Sequence, residues 1–313
     1  MLGCMDARNV VLAIVGPTAV GKTAISLQLA RELGGEVVSA DSRQVYRGMD
    51  IGTAKVSEEE RQTIPHHLID IREPDETISL GEYKRLATTA IADILKRGRL
   101  PLLVGGTGQY VRAVVEGWQI PNVPPQPELR QQLETLAQRE GKEAVFARLR
   151  ELDPVSAQNI DYRNLRRVIR AIEVTITAGK PFSELQTKKP PPWRILQIGL
   201  TRQRERLYAR VDARIEAMFA AGWIEEVQRL LAQGYTPELP SFGSLGYREV
   251  AFHLQGQYDL EETKALIRRA TRNFIRRQYN WFRLSDPNIQ WFDLDEFDAE
   301  MVVNWAKRAI QQQ

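Results

Sequence analysis

Residues 16 to 23, Gly16-Pro17-Thr18-Ala19-Val20-Gly21-Lys22-Thr23, complete a GxxxxGK[ST] pattern directly after the apolar run Val10 to Val15. A strand that ends in such a turn and continues as a helix offers a ring of backbone N–H groups and the positive end of the helix dipole, and both attract phosphate oxygens. Gly16 and Gly21 let the amides turn inward. Lys22 brings a mobile cation to the outer phosphate, and the Thr23 hydroxyl suits Mg²⁺. Enzymes that hydrolyse or transfer a nucleotide phosphate usually add an acid at the end of a second apolar strand. Here Leu100 to Val104 runs into Gly105-Gly106-Thr107-Gly108 instead, and Asp70, in His67-Leu68-Ile69-Asp70, reads equally as a metal partner or as a strand-end residue bonded to a loop. The signature of nucleotide hydrolysis is therefore incomplete. Asp41 offers other chemistry. It follows the run Glu36 to Ala40, and the carboxyl ends of strands line the ligand crevice of an open α/β sheet. A carboxylate beside bound phosphates repels them unless it accepts a proton or binds a cation. Ser42, Arg43 and Gln44 add donors and acceptors suited to a base edge, although the same four residues also fit a helix cap followed by surface.

These loops need a rigid parallel sheet behind them, and the first hundred residues alternate short apolar strands with amphipathic helices in that way. Strands are expected at Val10 to Val15, Glu36 to Ala40, Leu68 to Ile71 and Leu100 to Val104. Ser79-Leu80-Gly81-Glu82 forms a capping box for a helix that runs to about Arg97 and stops at Gly98. Two proline-rich breaks follow, IPNVPPQP at 120 to 127 and TKKPPPW at 187 to 193. Helices are expected between them, at 128 to 140, 142 to 152 and 164 to 177. After the second break a strand at 194 to 200 rejoins the sheet, followed by long helices at 203 to 233 and 260 to 284 and a last strand at 289 to 294. The expected fold class is α/β, a P-loop-type parallel sheet core, residues 1 to 121 and 193 to 313, with an inserted all-helical domain at 122 to 192.

The chain has 313 residues, 43% hydrophobic and 27% charged, and a formal net charge of +3. This is the composition of a globular protein, with no apolar run near the roughly 20 residues that span a bilayer. So mild a charge means that nucleic-acid binding must come from local patches. A single cysteine, Cys4, excludes a disulfide framework and a multi-thiolate zinc site, and the expected compartment is the cytoplasm. Gly3-Cys4 has the form of a lipoprotein signal's end, but no charged and apolar leader precedes it, so the start reads as a loose segment with Met5 as a candidate initiator.

The set GPTAVGKT, ADSRQVY at 40 to 46, HHLID at 66 to 70, GGTGQY at 105 to 110, RRVIRAIEV at 166 to 174, LGYRE at 245 to 249 and RRQYNWFR at 276 to 283 resembles the tRNA dimethylallyltransferase family, in order from about residue 11 to residue 284. The resemblance implies transfer of a dimethylallyl group from dimethylallyl diphosphate to the exocyclic N6 amine of the tRNA adenine immediately 3′ to the anticodon. Gly16 to Thr23 then cradle the donor's diphosphate, Thr23 holds Mg²⁺, Asp41 takes the amine proton, Ser42, Arg43 and Gln44 line the base pocket, and Thr107 sits near the reacting centre. Arg210 and Arg214 fall four apart on one helix face, and the resemblance turns them toward the diphosphate. A base stacked in the anticodon loop must be flipped out to react, so basic stretches are expected to hold the remaining RNA. Arg163 and the run Arg166-Arg167-Val168-Ile169-Arg170 supply one. The helix at 260 to 284, with Lys264, Arg268, Arg269, Arg272, Arg276, Arg277 and Arg283, supplies another. Ile169, Ile172, Ile176, Phe274, Trp281 and Phe282 read as core. Gly246, Tyr247 and Arg248 offer a backbone contact and a guanidinium to phosphate. Gln109 and Asn280 depart from the family pattern where an apolar residue and a threonine are common. The chain lacks the zinc-finger extension of eukaryotic members and resembles the bacterial type, with a monomer as the simplest state and no obligate protein partner. Two readings compete: a small-molecule kinase whose loop holds ATP, and a non-catalytic RNA-binding protein.

Overall fold

The computed structural model describes residues 9–312; Cys4 and Met5 lie outside the described residues. The chain forms two units, one from the described residues up to Val115 together with Pro191 onward, the other Glu116–Pro190. The larger unit runs β1 (Val10–Val15), α1 (Lys22–Leu33), β2 (Gly35–Ser39), α2 (Glu58–Thr63), β3 (His66–His67), α3 (Leu80–Lys96), β4 (Leu100–Val104) and α4 (Gly108–Val115). The smaller unit holds α5 (Pro127–Glu140), α6 (Lys142–Leu152), α7 (Pro154–Asn159), α8 (Leu165–Ala178) and α9 (Phe182–Leu185). The larger unit then resumes with β5 (Arg194–Thr201), α10 (Arg204–Ala220), α11 (Trp223–Ala232), α12 (Tyr247–Leu254), α13 (Leu260–Trp281), β6 (Ile289–Asp293) and α14 (Ala299–Gln311).

The six strands form one sheet in the order β3-β2-β4-β1-β5-β6, every pair parallel. β1 is apolar throughout because both its faces are covered. Val10, Leu12 and Ile14 enter one core cluster, and Val11, Ala13 and Val15 the other. Ile14 lies opposite both Val104 and Ile198, and Ser39 opposite Val104. This register sets the ends of β1, β2, β4 and β5 side by side, so the loops that follow share one crevice.

The expected strand at Leu68 to Ile71 does not form. Leu68 and Asp70 take positive φ values of 65° and 55°, and the pairing moves back to His66–His67. Partners outside the segment bend it: Asp70 turns to meet Lys55 and Arg61, and its N–H donates to Gln44 O at 3.1 Å. The long helix expected over 203 to 233 is two helices, interrupted where Gly222 sits at φ 94°. Half of the expected capping box forms: the Ser79 side chain accepts from Glu82 N–H, but the Glu82 carboxylate pairs with Arg72 instead of returning to Ser79. No helix of the described residues is long and apolar enough to cross a membrane.

The smaller unit closes around Leu133, Val145, Leu149, Val168, Ile169 and Ile172. Its boundaries fall outside the proline-rich breaks on one side and within them on the other, at 116 and 190 rather than 122 and 192. Trp118 bridges Lys188, and Gln119 N–H donates to Thr187 O at 2.8 Å, which ties the two connecting segments to each other. Ile176, expected in the core, is 49% exposed because it lies in the last turn of α8, beyond the residues that close the cluster.

Candidate active site

The loop between β1 and α1 is built as an anion receptor. Gly21 caps α1 at φ 121° without any side-chain hydrogen bond, and no acid stands in the first turn, so the leading amides of the helix are left for a ligand. Gly16, at φ 141°, passes so close to β5 that a Cβ would lie 2.4 Å from Leu200 O, which is why only glycine serves. Ala19 holds a left-handed φ of 62°, strain of the kind stored at ligand sites. Lys22 Nζ folds back on this loop and donates to Gly16 O (2.9 Å) and Pro17 O (2.7 Å). Burial pulls its pKa down to about 8, with the Asp41 carboxylate opposing the fall and the Arg214 guanidinium adding to it.

Asp41 stands one residue past the end of β2. Its Oδ1 accepts from Arg43 N–H at 2.8 Å, and among the described residues Oδ2 makes no hydrogen bond. Thr107, from the loop after β4, is fastened to the same segment. Its N–H donates to Ala40 O (3.2 Å), its Oγ1 accepts from Ser42 N–H (3.0 Å), and its hydroxyl reaches Ser42 Oγ (3.3 Å). The expected neighbours Asp41, Ser42 and Thr107 thus meet as one constellation. Arg43 crosses to Pro240 O at 3.0 Å, a wall supplied by the turn Pro240–Gly243. Gln44 points inward: it accepts from Ser39 Oγ (3.1 Å) and donates to Thr53 O (3.3 Å) and Ala54 O (3.2 Å), bonds that shape the loop behind the crevice.

Two of the cations close over the phosphate loop in different ways. Arg210 Nε donates to Ala19 O at 3.0 Å from an exposed position, whereas burial lowers the pKa of Arg214, opposed by Asp41 and assisted by Arg210. Arg214 is half-buried and lies near enough to Lys22 and Asp41 to feel their charges, whereas Arg210 stays exposed on the rim. Thr23 lies in the first turn of α1, exposed. Among the described residues no group of three or more His, Cys, Asp or Glu side chains is placed to hold a metal ion. Magnesium retains waters and takes substrate phosphates as ligands, so a single hydroxyl beside a phosphate receptor is a fitting donor set. Asp70 ion-pairs with Lys55 and, at 2.6 Å, with Arg61, which makes it the loop-bonded residue of the two readings.

Several expected contacts are corrected by burial. Val168 and Ile169 are 0% and 4% exposed in the core of the smaller unit, so their side chains offer nothing to RNA. Arg170 is held internally, at 2.5 Å from Glu173 and 3.0 Å from Val123 O, while Arg166 and Arg167 stay exposed. Glu173, fully buried, also receives Arg130 and the N–H of Gln126. Burial would raise its pKa, but these donors outweigh it and hold the carboxylate down to about 2. Tyr247 is fully buried, with its hydroxyl donating to Glu226 at 2.6 Å, and Arg248 Nε is bonded to Pro237 O at 3.0 Å. Gly246 caps α12 at φ 91°.

Two residues escaped the sequence reading. Arg202 reaches from the end of β5 to Val20 O (3.1 Å), Leu294 O (2.8 Å) and Asp295 (2.6 Å), bracing the phosphate loop from behind. Gln278 of α13 accepts from Thr18 N–H at 2.9 Å and donates to Gly106 O at 3.1 Å. Only its place in the RRQYNWFR motif hinted at a role.

The model of the IPP transferase family matches residues 44–285. A tRNA dimethylallyltransferase of Roseiflexus sp. (strain RS-1) is 54% identical over 289 residues, 92% of this chain and 94% of that protein. Among solved structures, the tRNA isopentenylpyrophosphate transferase of Bacillus halodurans is 39% identical with a TM-score of 0.72, covering 97% of both chains. A eukaryotic dimethylallyltransferase, solved acting on tRNA, superposes with a TM-score of 0.80 at 25% identity, over 97% of this chain and 80% of that one.

Proposed function

The chain belongs to the IPP transferase family, the tRNA dimethylallyltransferases, and on that premise we propose how its loops divide the reaction. The transfer moves a dimethylallyl group from dimethylallyl diphosphate to the N6 amine of the tRNA adenine 3′ to the anticodon and releases diphosphate. The observation that carries the assignment of roles is the nearness of a carboxylate, Asp41 just past the end of β2, to two half-buried cations that feel its charge, Lys22 at the start of α1 and Arg214 on α10.

An adenine amine is a weak nucleophile because its lone pair is delocalised into the ring. Asp41 Oδ2 hydrogen-bonds that amine, raises its electron density and takes its proton as the new N–C bond forms. The bond to the Asp41 segment leaves Thr107 and Ser42 to hold the flipped base in register, with Arg43 closing the pocket against the Pro240–Gly243 turn. As the allylic C–O bond breaks, negative charge grows on the diphosphate. The loop amides that remain free, those of the first turn of α1 among them, and the charges of Lys22 and Arg214 meet it in a site already oriented for anions, while the Thr18 N–H stays bonded to Gln278. Arg210 and the backbone of Pro17, Thr18, Ala19 and Val20 shape the rim of that site. The Thr23 hydroxyl would hold a Mg²⁺ ion brought with the donor, which would supply further neutralisation of the leaving diphosphate. Arg166 and Arg167 on α8, and the exposed Arg269, Arg276 and Arg277 on α13, contact the backbone of the anticodon stem-loop.

The deciding experiment incubates the protein with dimethylallyl diphosphate, Mg²⁺ and unmodified tRNA and measures nucleoside masses. A gain of one dimethylallyl group on the adenine beside the anticodon is expected. Asp41→Ala should keep tRNA binding and lose about 10² to 10⁴ in rate. Release of ADP from ATP with the tRNA left unmodified would point to a kinase instead.

A further inference from the structure

We propose that Gln278 is a positioning residue that sets the distance between the leaving-group loop and the base-holding loop. The inference rests on the division of roles proposed above. Gln278 lies near the C-terminal end of α13 and is 3% exposed. Its carboxamide reaches two loops that belong to different strands: Oε1 accepts from Thr18 N–H in the phosphate loop, and Nε2 donates to Gly106 O in the loop that carries Thr107. The orientation of the amide is determined, because only one of its two flips satisfies a donor on one side and an acceptor on the other.

The surroundings are shaped around this bridge. A Cβ at Gly106 would lie 2.2 Å from Gln278 Nε2, so glycine there admits the carboxamide. The adjoining residues of α13 fasten the same helix end to the same crevice: Tyr279 Oη lies 3.0 Å from Thr201 Oγ1 at the end of β5, and Trp281 packs against Gly108. The last turn of α13 is thus bonded to three strand ends, and Gln278 is the side chain that links the two loops carrying the two reacting partners. Transfer needs the allylic carbon and the amine nitrogen within about 3 to 3.5 Å, and a misplacement near 1 Å costs about 10²-fold. A buried bridge with no solvent competitor holds that spacing without touching either substrate.

The test compares Gln278→Met, which keeps the volume and loses both bonds, with Gln278→Glu in the full-length chain. Gln278→Met should lower kcat about 10²-fold, leave KM for tRNA within about twofold and leave the fraction folded unchanged. In Gln278→Glu the ionised carboxylate faces Gly106 O without a proton to donate, whereas the protonated carboxyl reproduces both bonds. Its rate, divided by that of the wild type at the same pH, should climb as pH falls from about 8 to about 5.5, because burial raises a carboxyl pKa; the corresponding ratio for Gln278→Met should stay flat. Division by the wild type removes the pH dependence that the two proteins share. The proposal is overturned if a folded Gln278→Met retains the wild-type kcat or if the Gln278→Glu ratio does not respond to pH. Where Gln278→Met does not fold, the Gln278→Glu profile decides alone. Wild-type activity in every arm separates failure of this proposal from failure of the assigned reaction.

Discussion

Lys22 gives the sharpest prediction, because the free protein holds this cation in a place that disfavours its charge. Burial lowers its pKa from 10.5 to about 8. Diphosphate beside the ammonium stabilises the charged form, so binding raises that pKa again and draws a proton from solution wherever Lys22 was neutral. A group with a pKa of about 8 is about nine-tenths charged at pH 7 and about one-tenth charged at pH 9. If only the charged lysine holds the anion, the Kd for dimethylallyl diphosphate rises about tenfold over that interval, and proton uptake on binding grows from about 0.1 to about 0.9. Isothermal titration at each pH in two buffers of different protonation heat measures both quantities. Lys22→Arg supplies the reference, since a guanidinium stays charged across the range and the ligand's own titration is common to both proteins. A Kd for the wild type that stays level from pH 7 to pH 9, with no more proton uptake than Lys22→Arg, would refute the reasoning.

Other outcomes follow from the same geometry. Arg214→Met should lose about 10²-fold or more in kcat/KM for the donor, whereas Arg210→Met, whose guanidinium serves the exposed rim at Ala19 O, should lose less than about tenfold; steady-state kinetics ranks them. Glu173, with its folded pKa near 2 against 4.5, contributes stability that is present above about pH 4.5 and is lost as pH falls toward 2. About 3 kcal/mol is at stake, so hydrogen exchange in α5 and α8 should accelerate across that window, and Glu173→Gln should remove the dependence. Gly108→Ala places a Cβ 2.2 Å from the Trp281 ring and should cost about 1 to 3 kcal/mol in denaturant unfolding by overpacking.

The sequence alone determined what is local. A six-residue apolar run before GPTAVGKT could only be a strand covered on both faces, and Leu100 to Val104 repeats the pattern; both strands form at those residues. Ser79 capped its helix as read, and the helices at 142 to 152 and near 128 to 140 and 165 to 178 follow their periodicity. Asp41 was singled out by its place after a strand and Thr107 by the family resemblance, and the fold fastens Thr107 to the segment that carries Asp41. Where the reading failed, a distant partner decided. Leu68 to Ile71 had the composition of a strand, but the ion pairs of Asp70 with Lys55 and Arg61 bend it into a turn. Val168, Ile169 and Arg170 sit among exposed arginines in the sequence, yet one side of that helix closes a core and Arg170 joins the buried Glu173. Tyr247 reads as a recognition residue and is instead buried on Glu226. The choice of Arg214 over Arg210 depends on which turn of α10 faces the crevice, and Gln278 gains meaning only when β1, β4 and α13 meet across 260 residues of sequence. Periodicity and motif spacing encode what each segment offers to its own neighbourhood. Which polar groups become buried against one another, and therefore which must pair, is decided only when the sheet brings its strand ends together.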